Sequence, residues 1–339
     1  MPRSCSRTCA KSAGRTATPK RQPDHGTHQP VSMSASAPRR RRGEEGGRCT
    51  AFVLSGGGSL GAVQVGMLRA LFESNLRPDF LIGTSVGAVN AAWVAGRPDP
   101  DAMVDLADIW LGLRRQDVFP LSPLTSALGL LGRSNHLISN QSLRSILEQH
   151  IPFERLEEAR VPVHIVATEL KSGRATVLKS GPAVPAVLAS CAIPGVFPPV
   201  AIGRREYVDG GVANHTPVTV AIELGAAEIY VLPVGYPWLN REPTNALGMA
   251  LNALARIVEQ RLEAEVASNR DVASIHVLPA LDLADVSPAD FSHTRELIDW
   301  GYRSAGRYLS EANGQSRDLA TPDKARKALK LSPNPAQAA

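Results

Sequence analysis

From Thr50 onward, short all-apolar runs alternate with longer stretches of mixed polarity, and that pattern predicts the elements of the chain. Thr50-Ala-Phe-Val-Leu-Ser55 stops at three glycines, as a fully buried strand does. Leu60, Val63, Val65, Met67, Leu68 and Leu71 then fall densely on one side of a helix ending near Ser74. Phe80-Leu-Ile-Gly83 is a second buried strand, and the small apolar residues from Ala88 to Ala95 form a helix closed by Gly96, where glycine is favoured. Strand, helix, strand, helix with short connections predicts parallel strands. Further strands are predicted at 161–169, 175–179, 228–234 and 274–279, and helices at 100–113, 140–150, 183–190, 217–224, 244–270 and 289–309. The expected fold class is α/β, three layers with a mainly parallel central sheet between helices. The segment 119–132, with several leucines among Pro, Ser and Gly, has no clear period and is either a mobile apolar flap or a loop tucked onto the core.

Composition narrows the picture. The 339 residues are 43 % hydrophobic and 20 % charged, the balance of a globular protein, and long enough for one large domain or two small ones. No apolar run approaches the ~18 residues a membrane helix needs, and no apolar core of a secretory signal is present near the start. Four cysteines (Cys5, Cys9, Cys49, Cys191) are too few and too scattered for a disulfide framework or a zinc site, so a reducing, cytoplasmic setting is expected. The net charge of +5 hides an asymmetry: residues 1–48 carry 11 Lys and Arg against 3 Asp and Glu, and the rest carry 26 against 29. The chain therefore reads as a disordered basic tail (1–48), a slightly acidic folded body (49–312) and a flexible C-terminal tail (313–339). Arg39-Arg40-Arg41-Arg42 could meet nucleic acid or anionic lipid, but a lone charge block reads first as a solvated leader, and no nucleic-acid partner is expected. The 30 Arg against 7 Lys point to a GC-rich bacterial genome.

Three short motifs carry chemistry. Gly56-Gly57-Gly58-Ser59-Leu60-Gly61 lies after a strand and before a helix, where glycines permit a sharp turn and leave N–H groups aimed outward to stabilise an anion. The same letters fit a dinucleotide-binding loop, with Asp79 near the place of a ribose-binding acid. Gly83-Thr84-Ser85-Val86-Gly87, again between strand and helix, is a nucleophile elbow: small residues two before and two after Ser85 allow the turn, and the helix end favours a developing alkoxide. Asp209-Gly210-Gly211 taken alone is a common turn, but beside a serine nucleophile its carboxylate could act as base.

The order and spacing of these motifs, with Ala189-Ser-Cys-Ala-Ile-Pro194 followed by Phe197 and Pro199, resemble the patatin-like phospholipases over roughly residues 50–220. The resemblance implies a Ser-Asp dyad without histidine that hydrolyses acyl esters of lipids or lysolipids. Ser85 matches the nucleophile, Asp209 the proton acceptor, and the glycine loop (Gly56, Gly57, Gly58, Ser59, Gly61) the oxyanion hole, with Gly83, Gly87, Gly210 and Gly211 shaping the turns. Ser59 stands where many members carry Arg or Lys. No cofactor and no metal are expected, and contact with a membrane surface would be transient and peripheral. Two other readings stand beside this one. One is an esterase triad in which His215, His276 or His293 serves as base, and the other is a nucleotide-binding module built on the first glycine loop. A lone aspartate is a weak base in water, near pKa 3.9, so a catalytic Asp209 is expected in a partly dry site.

Overall fold

The computed structural model describes residues 48–120, 135–235, 246–280 and 286–312. The Arg39–Arg42 run, both tails and nearly all of the apolar segment at 119–132 lie outside the described residues. Eight strands form one mixed sheet: β1 (Thr50–Leu54), β2 (Phe80–Thr84), β3 (Val163–Glu169), β4 (Ala175–Leu178), β5 (Val200–Ile202), β6 (Arg205–Asp209), β7 (Glu228–Leu232) and β8 (Ser274–Val277). Pairing runs β5-β6-β3-β2-β1-β7-β8, with β4 also on β3. β1, β2, β3, β7 and β8 pair parallel, while β4, β5 and β6 add antiparallel ladders at one end.

The helices are α1 (Ala62–Glu73), α2 (Val86–Gly96), α3 (Pro100–Gly112), α4 (Arg115–Val118), α5 (Gln141–His150), α6 (Ala183–Ser190), α7 (Val218–Glu223), α8 (Ala246–Asn269) and α9 (Thr294–Ala312). None of the described helices is long and apolar enough to cross a membrane. Alternate side chains of β1 serve two cores. Phe52 and Leu54 face a large one shared with α1, α2, α3, α5, α6 and α9, while Ala51 and Val53 face a smaller one closed by α7 and by Leu262 of α8. Strands covered on both faces must be apolar throughout, which is why β1 and β2 show continuous runs. α1 is buried at all but one of its twelve positions, so its sequence has little amphipathic contrast.

Two departures from the sequence expectation bear on the site. The hairpin β5–β6 sits in a stretch too short and polar to show a strand period. The last helix begins at Thr294 rather than near 289. The residues before it stay irregular because Asp290 bonds the Ser292 N–H and hydroxyl, and because the Ser287 and Pro288 carbonyls are bonded to Ser59.

Candidate active site

The parallel strands end where the two glycine motifs begin. At the end of β2, Ser85 adopts φ 54° and ψ −125°, a left-handed conformation that costs a non-glycine residue on the order of 1–3 kcal/mol. The neighbouring glycines make the turn possible. A Cβ on Gly83 would lie 2.3 Å from the Gly87 carbonyl oxygen, and one on Gly87 would lie 2.3 Å from that of Leu54. The strained residue is tied down by Ser190, the last residue of α6, which is fully buried. Its Oγ accepts the Ser85 N–H at 2.8 Å and donates to the Val166 carbonyl of β3 at 2.6 Å. Sequence reasoning missed the role of this residue, although it lies inside the Ala189–Pro194 block that carries part of the family resemblance.

The sheet brings the acid to the serine. Ile165 of β3 pairs with Gly83 of β2 and Leu178 of β4, and Ala167 pairs with Asp209 of β6 and Thr176 of β4. A strand residue has one neighbour on each edge, so β2 and β6 occupy the same edge of β3 in succession. They run toward each other and their C-terminal ends meet, Thr84 opposite Val166 and Asp209 opposite Ala167. Ser85 Oγ donates to Asp209 Oδ2 at 2.6 Å, and Gly211 N–H donates to Oδ1 at 2.7 Å. The Asp209 backbone is held at both ends, its N–H by the Ala192 carbonyl (2.9 Å) and its carbonyl by Thr168 Oγ1 (2.8 Å). Gly210 has no room for a side chain against the Val166 carbonyl. Asp209 is 7 % exposed, and burial pushes its carboxyl from the ordinary 3.8 up to about 6, against the opposing pull of the Ser85 and Gly211 hydrogen bonds. The adjacent Cys191 stays a thiol, because burial and the Asp209 charge push its pKa up.

The first glycine loop faces this pair. Gly57 and Gly58 have φ +150° and +60°, and Cβ atoms there would strike Val234 and the Pro288 carbonyl. Not every N–H of the loop is available: that of Gly56 bonds the His215 carbonyl (3.4 Å) and that of Ser59 the Pro288 carbonyl (2.8 Å). Those of Gly57 and Gly58 meet no acceptor among the described residues. Ser59 is fully buried, its hydroxyl donating to the Ser287 carbonyl at 3.0 Å. Gly61 packs on Val86, too close for a side chain.

The alternative residues fall as follows. His215 packs its Nε2 against Gly56, and burial pushes it down to about 4, so it is neutral at pH 7. Ser85 Oγ donates instead to the Asp209 carboxylate. His276 is stacked on Tyr230 in β8's ladder, with ring centroids 4.7 Å apart, and His293 lies between Asp290 and Glu296 at the surface. Asp79 bonds the Thr50 N–H at 2.8 Å, at the start of β1 and so at the opposite end of the strand from the glycine loop. It is thus out of place as a ribose ligand for that loop.

Ser85 and Gly58 open onto an apolar cleft with about 830 Å³ of atom-free space, its open mouth included. α2 supplies Val89 and Trp93, α3 Leu106 and Trp110, and Phe119 stacks on Phe197 at 5.6 Å beside Phe291. Among the described residues no group of three or more His, Cys, Asp or Glu is gathered as a metal site would require.

The model of the family described as patatin-like phospholipase matches residues 52–222, just over half of the chain, and takes in both glycine motifs, Ser85 and Asp209. The chain belongs to the patatin-like phospholipase family. Among its relatives, a patatin-like phospholipase domain-containing protein of Caenorhabditis elegans is 28 % identical over 191 residues, 56 % of this chain and 14 % of that one. Patatin-like phospholipase domain-containing protein 7 of Rattus norvegicus gives the same identity and coverage. An uncharacterized NTE family protein of Mycobacterium bovis is 30 % identical over 226 residues, 62 % of this chain and 59 % of that one. This patatin-like chain therefore spans only part of the length of the curated relatives it matches. Among solved structures, human GIVD cytosolic phospholipase A2 is similar with a TM-score of 0.47 at 12 % identity, covering 84 % of this chain and 60 % of that one. VipD from Legionella pneumophila gives 0.40 at 14 % identity, covering 78 % and 67 %.

Proposed function

We propose that this patatin-like protein is a serine-dependent lipid acyl hydrolase working through a Ser85–Asp209 dyad. The observation that carries the reading is the 2.6 Å hydrogen bond from a strained serine to a buried carboxylate, at the mouth of an apolar cleft. Ser85 Oγ attacks the ester carbonyl carbon as its proton passes to Asp209 Oδ2. A carboxyl raised to about 6 is a stronger base than an ordinary aspartate and still ionised at neutral pH. The negative charge that develops on the carbonyl oxygen is taken up by the Gly57 and Gly58 N–H groups, each such donor being worth about 3–4 kcal/mol in the transition state. Collapse of the tetrahedral intermediate breaks the ester C–O bond, and the leaving alcohol takes the proton from Asp209. Water then attacks the acyl-serine, again giving its proton to Asp209, which returns it to Ser85 as the carboxylic acid leaves.

The cleft favours a long acyl chain over a polar one, since its walls are almost wholly aliphatic and aromatic. The substrate class is accordingly a lipid or lysolipid ester. Active-site labelling with a fluorophosphonate should modify the wild type at Ser85 and leave Ser85→Ala unmodified. Turnover of esters of graded chain length should rise from acetyl to medium and long acyl groups. Absence of both labelling and turnover in the folded wild type would refute the proposal.

A further inference from the structure

An oxyanion site built from backbone works only if two N–H groups keep one direction, and consecutive glycines do not hold a direction by themselves. Beneath the loop lie two buried amides that the dyad chemistry does not use. Gln64 of α1 and Asn90 of α2 are both fully buried. Gln64 Nε2 donates to the Ser55 carbonyl at 2.8 Å and to the Leu232 carbonyl of β7 at 3.0 Å. Its Oε1 accepts from Asn90 Nδ2 at 3.0 Å, and the same nitrogen donates to the Gly61 carbonyl at 3.0 Å. Asn90 Oδ1 accepts the indole N–H of Trp110 from α3 at 3.0 Å.

Two features set this relay apart from ordinary core filling. It grips the loop at both ends, residues 55 and 61, on either side of Gly57 and Gly58. It also has a single polarity. An indole nitrogen can only donate, so Trp110 fixes which end of the Asn90 amide is oxygen. That turns Nδ2 toward Gly61 and Gln64, and Gln64 in turn must present its nitrogen to the two carbonyls. Apolar side chains of the same shape would fill the space without the hazard of an unpaired buried amide, so packing alone does not call for Gln and Asn here.

We infer that Gln64 and Asn90, oriented by Trp110, are positioning residues that hold the Gly57 and Gly58 N–H groups on the oxyanion. The inference rests on the serine hydrolase reading above. The test uses Gln64→Met, which keeps length and volume but removes the hydrogen bonds, and Trp110→Phe, which keeps an aromatic wall but removes the orienting donor. With a short-chain p-nitrophenyl ester, Gln64→Met should lower kcat 10- to 100-fold with KM changed less than threefold, and Trp110→Phe should lower kcat about 3- to 10-fold. Affinity for an alkylboronic acid, whose tetrahedral serine adduct carries the negative oxygen, should fall by the same factor as kcat. Inhibition by the matching free fatty acid should stay unchanged in Gln64→Met, whose side chain does not line the cleft. Variants that retain wild-type kcat and boronate affinity, or whose losses only track the unfolded fraction seen by circular dichroism, overturn the inference. Should Gln64→Met not fold, Trp110→Phe decides on the same two readouts. A wild type that neither turns over ester nor labels at Ser85 refutes the hydrolase reading instead, so the two failures are told apart.

Discussion

Replacing Asp209 by Asn should abolish activity and at the same time make the protein more stable above pH 6. The carboxyl is 7 % exposed and is raised from 3.8 to about 6, chiefly by burial. Between those values the folded protein binds the proton that the unfolded chain releases. Stability contributed by this group is therefore complete below about pH 4, declines as pH rises toward 6 and is flat beyond. At 1.36 kcal/mol for each tenfold change in the constant, the burden of the buried charge at pH 8 is about 3 kcal/mol. An asparagine carries no such burden. Its Oδ1 can still accept the Gly211 N–H, and its nitrogen, in the place of Oδ2, can donate to Ser85 Oγ with the bond reversed. The shift already includes the opposing Ser85 and Gly211 hydrogen bonds, so the gain on substitution at pH 8 is on the order of 3 kcal/mol. Thermal and urea denaturation of wild type and Asp209→Asn at pH 4.5, 6 and 8 should show a gap that opens with pH in favour of the variant, while kcat falls at least ~10³-fold. A variant that melts below the wild type at pH 8, or a gap equal at pH 4.5 and 8, would refute the reasoning that burial of this carboxylate is what raises its basicity.

Ser190→Ala removes both the acceptor of the Ser85 N–H and the donor to the Val166 carbonyl. It should cost about 1–3 kcal/mol in denaturant titration and lower kcat more than it changes KM, because the elbow loses its tie to β3. His215→Ala should retain most esterase activity, since burial makes that imidazole a weaker base than the Asp209 carboxylate, to which Ser85 Oγ donates. A loss comparable to that of Asp209→Asn would favour the histidine triad. The rate profile should rise with pH through about 6 as the Asp209 carboxylate forms, and His215→Ala should leave that midpoint in place.

The local part of this protein is written in short-range pattern. Runs such as Thr50–Leu54 and Phe80–Thr84 are apolar because both faces of those strands are covered, and the glycines that follow mark sharp strand-to-helix turns, with positive φ at Gly57 and Gly58. A reader of the sequence can therefore place Ser85 at a strand-to-helix elbow and the glycine loop before a helix. Other features depend on segments far apart in sequence, and no periodicity reports them. Asp209 reaches Ser85, 124 residues away, only because β6 takes over the edge of β3 that β2 vacates, so that the two strands end head to head. Which N–H groups of the loop remain open is decided by carbonyls of His215 and Pro288, the latter beside a Ser287 that is 228 residues from Ser59. Ser190, Gln64 and Asn90 look like ordinary helix positions until the helices are packed, because a hydrogen-bond partner is a property of the assembled core. Sequence alone thus determined the chemistry each short segment can offer. Tertiary structure decided which of those offers meet, since strand pairing and buried hydrogen bonds between distant segments are set by the fold as a whole.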